Sequence, residues 1–225
     1  MSKIIVFGIG RGANIATRYF SDDSPHQVVA YTADDEYVEL GANFLGRPVI
    51  PFSRIADEIP PEKAQMFIPL GFQRMNALRA EKFVAAKKRG YRLASYISSR
   101  ILASGMPEFG ENCLILEGNV FNYDVTIGND VVMWSGNHVG DLSMIEDHVF
   151  ISSHVVLSGE VKIGANSFLG VNATISNYVR VGERCYIGAN TLVAQDISAD
   201  SVVVAKGTAV LESIDSTRFL DVIKS

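Results

Sequence analysis

A glycine-rich segment near the N-terminus has the residue types of a phosphate-binding loop. Gly8-Ile9-Gly10-Arg11-Gly12 follows an apolar run and opens a predicted helix. At such a helix N-terminus, unpaired backbone N–H groups and the helix dipole favour a bound anion. The segment departs from the full dinucleotide-binding fingerprint, because Asn14-Ile15 do not supply its last glycine at the expected place. The pattern therefore fits either a phosphate loop or a tight structural turn.

Arginines near this loop offer the positive charge that a pyrophosphate needs. Arg11 lies within the loop and Arg74 follows the third predicted strand. Exposed salt bridges are the commoner fate of such side chains, so residue type alone assigns them no role.

The elements that would position this loop alternate between strand and helix over the first hundred residues. Apolar runs predict strands, and amphipathic stretches between them predict helices near residues 12–20, 53–58 and 73–89. Alternation of this kind predicts βαβ units and a small parallel sheet, whose ligands bind outside the carboxyl ends of the strands. Residues 1–100 are therefore predicted to form a Rossmann-like domain with strands at residues 4–7, 28–31, 66–70 and 91–94.

A different period begins near residue 100. From Phe109 to Val193, every sixth residue is apolar, and the residue four positions further on is small or β-branched in nearly every case. A six-residue repeat of this type is the signature of a parallel β-helix. Three hexapeptides close one coil, so residues one full coil apart stack in columns separated by roughly 4.8 Å per coil. Residues 101–225 are predicted to form this second domain, with the tail from Thr217 covering its far end.

The stacking of residues that are whole coils apart decides how the two cysteines are interpreted. Cys113 and Cys185 are separated by four whole coils and share one inward-facing column. That places them roughly 19 Å apart, which is too far for a disulfide. Both are predicted to be buried fillers in a reducing compartment, which favours a cytoplasmic protein. Asn119 and Asn137 stack in the same way, and a hydrogen-bonded ladder between their amides is predicted.

Composition limits the classes of partner. The chain carries 20 basic and 25 acidic side chains, a net charge of −5 and 48% apolar residues. The longest basic run is Lys87-Lys88-Arg89, so no nucleic-acid partner is expected. The short apolar run at the N-terminus is too short for a signal sequence, and no apolar run is long enough to predict a membrane span.

Histidines raise the question of a metal site. His148 and His154 lie one hexapeptide apart, on adjacent corners of one predicted coil, which is too far to share an ion within one chain. A shared ion would need donors from neighbouring subunits at about 2.0–2.1 Å. No metal is therefore predicted.

Six segments, taken together, make the chain resemble a known family. A small α/β domain followed by hexapeptide repeats is the architecture of bacterial sugar-nucleotide acetyltransferases related to the sialic acid O-acetyltransferases. The segments that carry the resemblance are Val6–Gly10, Phe44–Val49, Met66–Gly71, Ala94–Ser99, Trp134–His138 and Phe150–Val156. The resemblance implies a left-handed β-helix and a homotrimer with active sites between adjacent β-helices. It also implies acetyl-CoA as cosubstrate and a nucleotide-linked sugar held by the N-terminal domain.

The resemblance also suggests which residues meet the sugar nucleotide. The loop with Gly8, Gly10 and Arg11 faces the sugar nucleotide in the family. Asp34 and Asp35 resemble the acidic pair that contacts the base or ribose, and a solvated turn is the equal alternative. Gly71 would line the same crevice.

The catalytic base is where the sequence departs from the family. The family's histidine lies three positions after a Gly-Asn-His triplet, where this chain has Asp141 followed by Leu142. His138 belongs to the triplet and is the nearest imidazole. An ordinary aspartate, with a pKa of about 3.9, is a weak base for an ammonium group, whereas histidine near 6.5 is better suited. We expect Asp141 and His138 to share the role; the alternative is that Asp141 only caps a turn.

Two further features would bind the acyl donor in this interpretation. Gly159 follows Asp141 by one full coil and resembles the family glycine whose N–H holds the oxyanion of a tetrahedral intermediate. Val171, Ala189 and Gly207 share another column, and the first two match family contacts for coenzyme A. The usual family ending near the adenine is replaced by Ala205–Ala209.

The sequence therefore predicts an acetyl-CoA-dependent N-acetyltransferase that acts on a nucleotide-linked amino (dideoxy) sugar for surface polysaccharide such as O-antigen. Sugar O-acetylation is an alternative, and a catalytically quiet trimeric binding protein is another. The nucleotide base, the sugar position and the length of the acyl chain are left open by the sequence.

Overall fold

The computed structural model describes residues 2–207, so the predicted capping tail from Thr217 lies outside the described residues. The chain begins with a five-stranded sheet in the order β3-β4-β2-β1-β5, in which only the β3–β4 pair is antiparallel. Its strands are β1 (Lys3–Phe7), β2 (Gln27–Ala33), β3 (Asn43–Phe44), β4 (Arg47–Pro51) and β5 (Gln65–Phe67). The helices are α1 (Arg11–Asp22), α2 (Ile55–Glu58) and α3 (Ala77–Lys88), and a 3-10 turn spans Asp35–Tyr37. The predicted small α/β unit is confirmed.

Helix α1 packs on the sheet because its apolar residues recur with helical spacing. Ala13, Ala16, Thr17 and Phe20 are its buried residues and lie on one face. Among the described residues, no helix is both long and apolar enough to cross a membrane.

Four predicted elements of this unit are shorter than expected, and the smallest difference is at α2, which begins at Ile55 rather than at residue 53. The strand predicted for residues 66–70 ends at Phe67, and Pro69 beyond it has no N–H to donate to a ladder. The strand predicted for residues 91–94 is only a bridge between Leu93 and Met66. The helix predicted from residue 73 begins at Ala77, because the preceding residues 74–76 have positive φ angles.

The remainder of the described chain is a left-handed parallel β-helix, as predicted. Each strand has two residues and pairs with the strands one coil before and one coil after it, as Val120, His138 and Val156 do. The strands are β6 (Tyr96–Ile97), β7 (Leu102–Ala103), β8 (Glu108–Phe109), β9 (Leu114–Ile115), β10 (Val120–Phe121), β11 (Thr126–Ile127), β12 (Val132–Met133), β13 (His138–Val139), β14 (Met144–Ile145), β15 (Phe150–Ile151), β16 (Val156–Leu157), β17 (Lys162–Ile163), β18 (Phe168–Leu169), β19 (Thr174–Ile175), β20 (Arg180–Val181), β21 (Tyr186–Ile187), β22 (Leu192–Val193) and β23 (Val202–Val203).

The two ends of the β-helix differ from the predicted register. At its start, β6 and β7 extend the six-residue repeat backwards from Phe109, so the first strand is Tyr96–Ile97. At its end, Val202 pairs with Tyr186 and Ile197 with Val181, and each pair is closer in sequence than three full hexapeptides would place it. The last coil is two residues short, so columns drawn beyond Val193 shift by two positions.

Polar residues inside the β-helix are paired. Asn137 Nδ2 donates to Asn119 Oδ1 at 2.8 Å and to the Trp134 carbonyl at 2.5 Å, which confirms the predicted amide ladder. Both cysteines are free and buried, as predicted. Burial raises the pKa of the Cys113 thiol to about 12, so this side chain stays protonated.

The strands of the β-helix form a six-stranded sheet (β22-β19-β16-β13-β10-β7), a five-stranded sheet and a seven-stranded sheet (β23-β21-β18-β15-β12-β9-β6). The N-terminal unit covers the outer face of the seven-stranded sheet. Leu114, Val132, Phe150 and Phe168 lie on successive coils of that face and are buried in one cluster with residues of β1, β2 and α1. Phe72 packs against both phenylalanines, with ring centroids 5.2 and 4.8 Å apart. Apolar burial of this extent disfavours relative motion of the two units.

A buried charge pair also joins the two units. Arg79 of α3 and Asp130 of the β-helix are both fully buried, and Arg79 Nε lies 3.1 Å from Asp130 Oδ2. Arg79 also donates to the carbonyls of Gly71, at 3.0 Å, and His148, at 2.9 Å. Burial lowers the pKa of Arg79, and the adjacent carboxylate opposes that effect.

Two further side chains complete the partners of Asp130. Asn112 Nδ2 donates to Asp130 Oδ1 at 2.6 Å, and His148 Nδ1 lies 2.8 Å from Asp130 Oδ2. Asn112 also bonds both the N–H and the carbonyl of Ile68, beside the end of β5. One carboxylate therefore connects α3, the segment after β5 and two coils of the β-helix.

Removing this carboxylate should destabilise the fold strongly. Asp130→Ala leaves the Arg79 charge buried without its counter-ion, so we expect the free energy of unfolding in urea to fall by about 3–5 kcal/mol. The matched control is Lys162→Ala, which breaks the partly exposed Lys162–Glu146 pair at 2.7 Å and should cost at most about 1 kcal/mol. Equal losses in the two variants would contradict this account.

Candidate functional site

A cavity of about 620 Å³ lies where the N-terminal sheet meets the β-helix. One wall is formed by the loops after β1 and β5, and the opposite wall by the outer face of the β-helix. The lining residues are Phe7, Gly8, Gly10, Arg11, Gly12, Ala13, Ile15, Pro69, Leu70, Gly71, Phe72, Gln73, Leu114, Val132, Trp134 and Phe150. The cavity therefore lies at the carboxyl ends of two adjacent parallel strands, where such sheets bind ligands.

The glycine loop has the geometry of an anion-binding helix N-terminus. Gly8 has φ +101 and Gly10 is the extended residue before α1. The first N–H groups of α1 have no partner within the helix, so they can bind an anion. A side chain on Gly12 would overlap the carbonyl oxygen of Pro69. Gly12 thus allows the close contact between α1 and the β5 loop that a fingerprint glycine usually provides.

Four predicted substrate-binding residues meet at this cavity, namely Gly8, Gly10, Arg11 and Gly71. Arg11 is exposed and lines the cavity wall. Arg74 instead forms an exposed salt bridge with Glu81 at 2.6 Å, which is the alternative to pyrophosphate binding that was expected from the sequence.

Asp34 and Asp35 do not line the cavity. Asp34 pairs with Lys82 at 2.5 Å. Asp35 accepts hydrogen bonds from the Ser53 hydroxyl, at 2.5 Å, and from the Ser53 N–H, at 3.1 Å. These bonds lower the pKa of Asp35. Both carboxylates therefore already have partners within the N-terminal unit.

The predicted catalytic residues lie on a different part of the β-helix. His138 is half-buried on the outer face of the six-stranded sheet, between Val120 and Val156. Asp141 is exposed at the next turn, and its Oδ1 would lie 3.1 Å from a Cβ built on Gly159. The structure thus brings Asp141 and Gly159 together on successive coils. The Gly159 N–H donates to Asn177 Oδ1 at 2.9 Å.

The three residues predicted to contact coenzyme A do not form one column. Val171 and Ala189 are exposed on successive coils, and the Asn190 N–H donates to the Val171 carbonyl at 2.9 Å. Because the last coil is two residues short, Val204 packs over Gly188 and the next residue, Ala205, follows Ala189. The prediction that Gly207 continues this column is therefore wrong.

The other two histidines of the β-helix both pack against residues of this chain. His148 binds Asp130, and its ring meets Phe83 edge-on at 5.6 Å. The His154 ring packs against Gly136. Within residues 2–207, no group of three or more His, Cys, Asp or Glu side chains could hold a metal ion.

Sequence reasoning missed the aromatic wall of the cavity. Phe72, Trp134 and Phe150 line it, and Trp134 is the only tryptophan of the chain. The available signal was the column Leu114, Val132, Phe150, Phe168, Tyr186, which is apolar although its residues face outward. An outward column that stays apolar over several coils indicates a surface that packs against another element or another copy of the chain.

Comparisons with known proteins support the architecture. Residues 160–195 match the family described as bacterial transferase hexapeptide (six repeats). A search of curated proteins finds no match. Among solved structures, the chain is similar to a variant of perosamine N-acetyltransferase from Caulobacter crescentus in complex with CoA and GDP-perosamine. That likeness has 21% identity and a TM-score of 0.80, and it covers 92% of this chain and 98% of that one.

Two other structures have the same architecture. The acetyltransferase domain of PglB from Neisseria gonorrhoeae, in complex with acetyl coenzyme A, has 20% identity and a TM-score of 0.76, over 90% of this chain and 96% of that one. WeeI from Acinetobacter baumannii has 20% identity and a TM-score of 0.59, over 91% and 97%. At these identities, the likeness shows a common fold over nearly the whole chain.

The glycine loop yields a test of its packing. Gly12→Ala should lower the free energy of unfolding by about 1–3 kcal/mol, because the new methyl group displaces the Pro69 carbonyl. Gly10→Ala is the matched control, since a Cβ there meets nothing within 4 Å and the residue has φ −110. We expect that variant to stay within about 0.5 kcal/mol of the parent in urea denaturation. Equal stability of Gly12→Ala and Gly10→Ala would show that the close contact is not required.

Proposed function

We propose that this chain is an acetyl-CoA-dependent N-acetyltransferase that acts on the amino group of a nucleotide-linked amino sugar, for surface polysaccharide such as O-antigen. The observation that carries the proposal is the cavity, which combines a helix N-terminus suited to phosphate with an aromatic wall supplied by the β-helix. Supporting it, the similar structures from Caulobacter and Neisseria are acetyltransferases that hold CoA with GDP-perosamine, or acetyl coenzyme A.

The two ends of the cavity suit the two parts of such a substrate. The N–H groups at the start of α1 and the Arg11 guanidinium suit a diphosphate. Trp134, Phe72 and Phe150 offer apolar surface for a ring to pack against. Asp34 and Asp35 would contact the nucleotide only after releasing Lys82 and Ser53, so we assign them no direct contact.

The chemistry is nucleophilic acyl transfer. The amine nitrogen attacks the thioester carbonyl carbon, and the carbonyl electron pair moves to oxygen. When that pair returns, the C–S bond breaks and coenzyme A leaves as its thiol, with the proton released by the amine. Gly159 N–H would stabilise the oxyanion. Asp141 and His138 would accept the amine proton, and Val171 and Ala189 would flank the pantetheine arm.

A trimer would complete this site. The outer face around His138 is a column of Leu102, Val120, Val156, Thr174 and Leu192, and its leucines are exposed. An exposed apolar strip of this kind marks an interface. A second copy packed there would cover His138, and the proposal requires that the substrate cavity of that copy faces this histidine. Light scattering tests the assembly, since the account requires the mass of three chains.

We place the reaction in the cytoplasm. Cys113 and Cys185 are both unpaired, as is usual in a reducing compartment. Acetyl-CoA is required as a cosubstrate, and no step uses a metal ion.

A catalytically quiet binding protein is the second candidate function. It is favoured by the Gly159 N–H, which already has Asn177 as its acceptor, and by an aspartate where the related family has a histidine. Binding of both ligands without turnover would identify this case.

Exchange of the two proposed bases tests the chemistry. We expect Asp141→Asn or His138→Ala, or both, to lower kcat at least about tenfold, because positioned acid–base groups contribute that much or more. Asp124→Asn makes the same exchange at an exposed turn one coil earlier and should keep kcat. If neither of the first two variants loses tenfold, the shared-base assignment is wrong.

The single tryptophan reports on the cavity directly. Adding GDP, UDP or dTDP in turn should change the emission of Trp134 with one of them, because the nucleotide enters the cavity that this ring lines. Arg11→Ala should weaken that binding by about tenfold or more, the usual cost of losing a charge-assisted hydrogen bond. Trp134→Phe removes the signal and serves as the optical control. A wild-type chain whose emission responds to none of the three would contradict the assignment of the cavity.

A further inference from the structure

The peptide bond between Ser158 and Gly159 is held from inside the β-helix by one hydroxyl group. Ser143 Oγ donates to the Ser158 carbonyl at 3.1 Å, which is closer than its other acceptor, the Asp141 carbonyl at 3.5 Å, and it accepts the Val161 N–H at 3.2 Å. Ser143 is 1% exposed, so water does not compete for these bonds. Because a peptide group is planar, fixing its carbonyl also fixes the direction of the Gly159 N–H.

The hydroxyl at position 143 is not required by the stacking of the coils. Its neighbours in the column are valines, at positions 125, 161 and 179, and all are buried. A valine at 143 would continue the column without a polar group in the core. The serine therefore costs apolar packing and contributes control of one peptide group.

On the outer side, the same peptide directs its N–H at an amide oxygen. Asn177 Oδ1 accepts the Gly159 N–H at 2.9 Å. Asn177 is exposed and lies one coil further along, whereas Asp141 lies one coil back with its Oδ1 beside Gly159. An amide oxygen has the same geometry as an acyl carbonyl oxygen, and an exposed hydrogen bond is readily exchanged.

We propose that Ser143 is a positioning residue for acyl transfer, which aims the Gly159 N–H at the place now taken by Asn177 Oδ1, and that the thioester carbonyl oxygen replaces Asn177 there. The proposal rests on the proposed function and adds a residue to it. As the amine adds and charge moves to that oxygen, the fixed N–H bonds it without reorganisation. When the C–S bond breaks and the thiol departs, the oxygen returns to its carbonyl state and Asn177 regains the N–H.

The chain provides a matched control for this serine. Ser167 Oγ donates to the Gly182 carbonyl at 3.0 Å and accepts the Cys185 N–H at 3.0 Å. The sequence offsets are the same as at Ser143, and the hydroxyl is equally buried. The Gly182 turn contains none of the proposed catalytic residues. Ser143→Ala and Ser167→Ala therefore delete the same bonds at different corners.

The test compares kinetics and stability in these variants. Ser143→Ala should lower kcat about tenfold, less than the loss of a whole oxyanion donor, with the KM for acetyl-CoA within about twofold. Ser167→Ala should lower the Tm by about as much as Ser143→Ala does, but it should leave kcat unchanged. Ser143→Cys should recover most of the rate, because Cys113 Sγ makes the equivalent bond to the Gly128 carbonyl at 3.2 Å.

A second variant tests the exchange at Asn177. Asn177→Asp retains an acceptor for the Gly159 N–H but places a negative charge where the oxyanion forms, so kcat should fall more than tenfold. Asp147→Asn is its control, because Asp147 Oδ1 accepts the Asn129 N–H at 2.7 Å from one full coil away, at the equivalent turn position.

Two results would overturn the proposal: equal kcat in Ser143→Ala and Ser167→Ala, or unchanged kcat in Asn177→Asp. Wild-type protein that acetylates no amino sugar would count against the proposed function instead. In that case, hydrogen–deuterium exchange of the Gly159 backbone amide still tests whether Ser143 fixes this peptide group. Ser143→Ala should accelerate the exchange, and Ser167→Ala should not.

Discussion

Hydrogen bonding between successive coils is the constraint on which the rest of the structure depends. Each two-residue strand pairs with the strands one coil before and one coil after it, so every hexapeptide position becomes a column of side chains. The columns of side chains that point inward form the core. Each column that points outward gives its face of the β-helix a single polarity. The face with Leu114, Val132 and Phe150 is apolar and is covered by the N-terminal unit. The position of the cavity follows from which outward column is apolar.

The Arg79–Asp130 pair then fixes how the covering unit sits on that face. Arg79 also holds the carbonyl of Gly71, which belongs to the cavity wall. Asn112 fixes the segment after β5 from the β-helix side. The segment after β5 and the β-helix are thus tied to the same buried carboxylate, so the spacing between Gly71 and Trp134 is set by the fold rather than by a linker. A rigid gap of this kind preorganises a site for a ligand.

The periodic part of the fold could be predicted from the sequence because two-residue strands and a fixed coil length leave one solution. The amide ladder of Asn119 and Asn137 followed from the same spacing. Gly207 was misplaced because nothing in the residue types marks the loss of two residues from the last coil. The role of Asp130 was missed because a buried carboxylate at a turn looks like a solvated one until its distant partners, Arg79 of α3 and His148 of the next coil, are brought to it by the fold.

The most direct test of the central claim is transfer of an acetyl group from acetyl-CoA to nucleotide-linked sugars, followed by thiol release and by product mass. Thiol detection is clean here because both cysteines of the chain are buried. The account predicts acetylation of a sugar that carries a free amino group, on the nucleotide that alters Trp134 emission, and no product from the analogue with a hydroxyl in its place. Preferential acetylation of the hydroxyl analogue, or no transfer to any amino sugar while acetyl-CoA is bound, would contradict it.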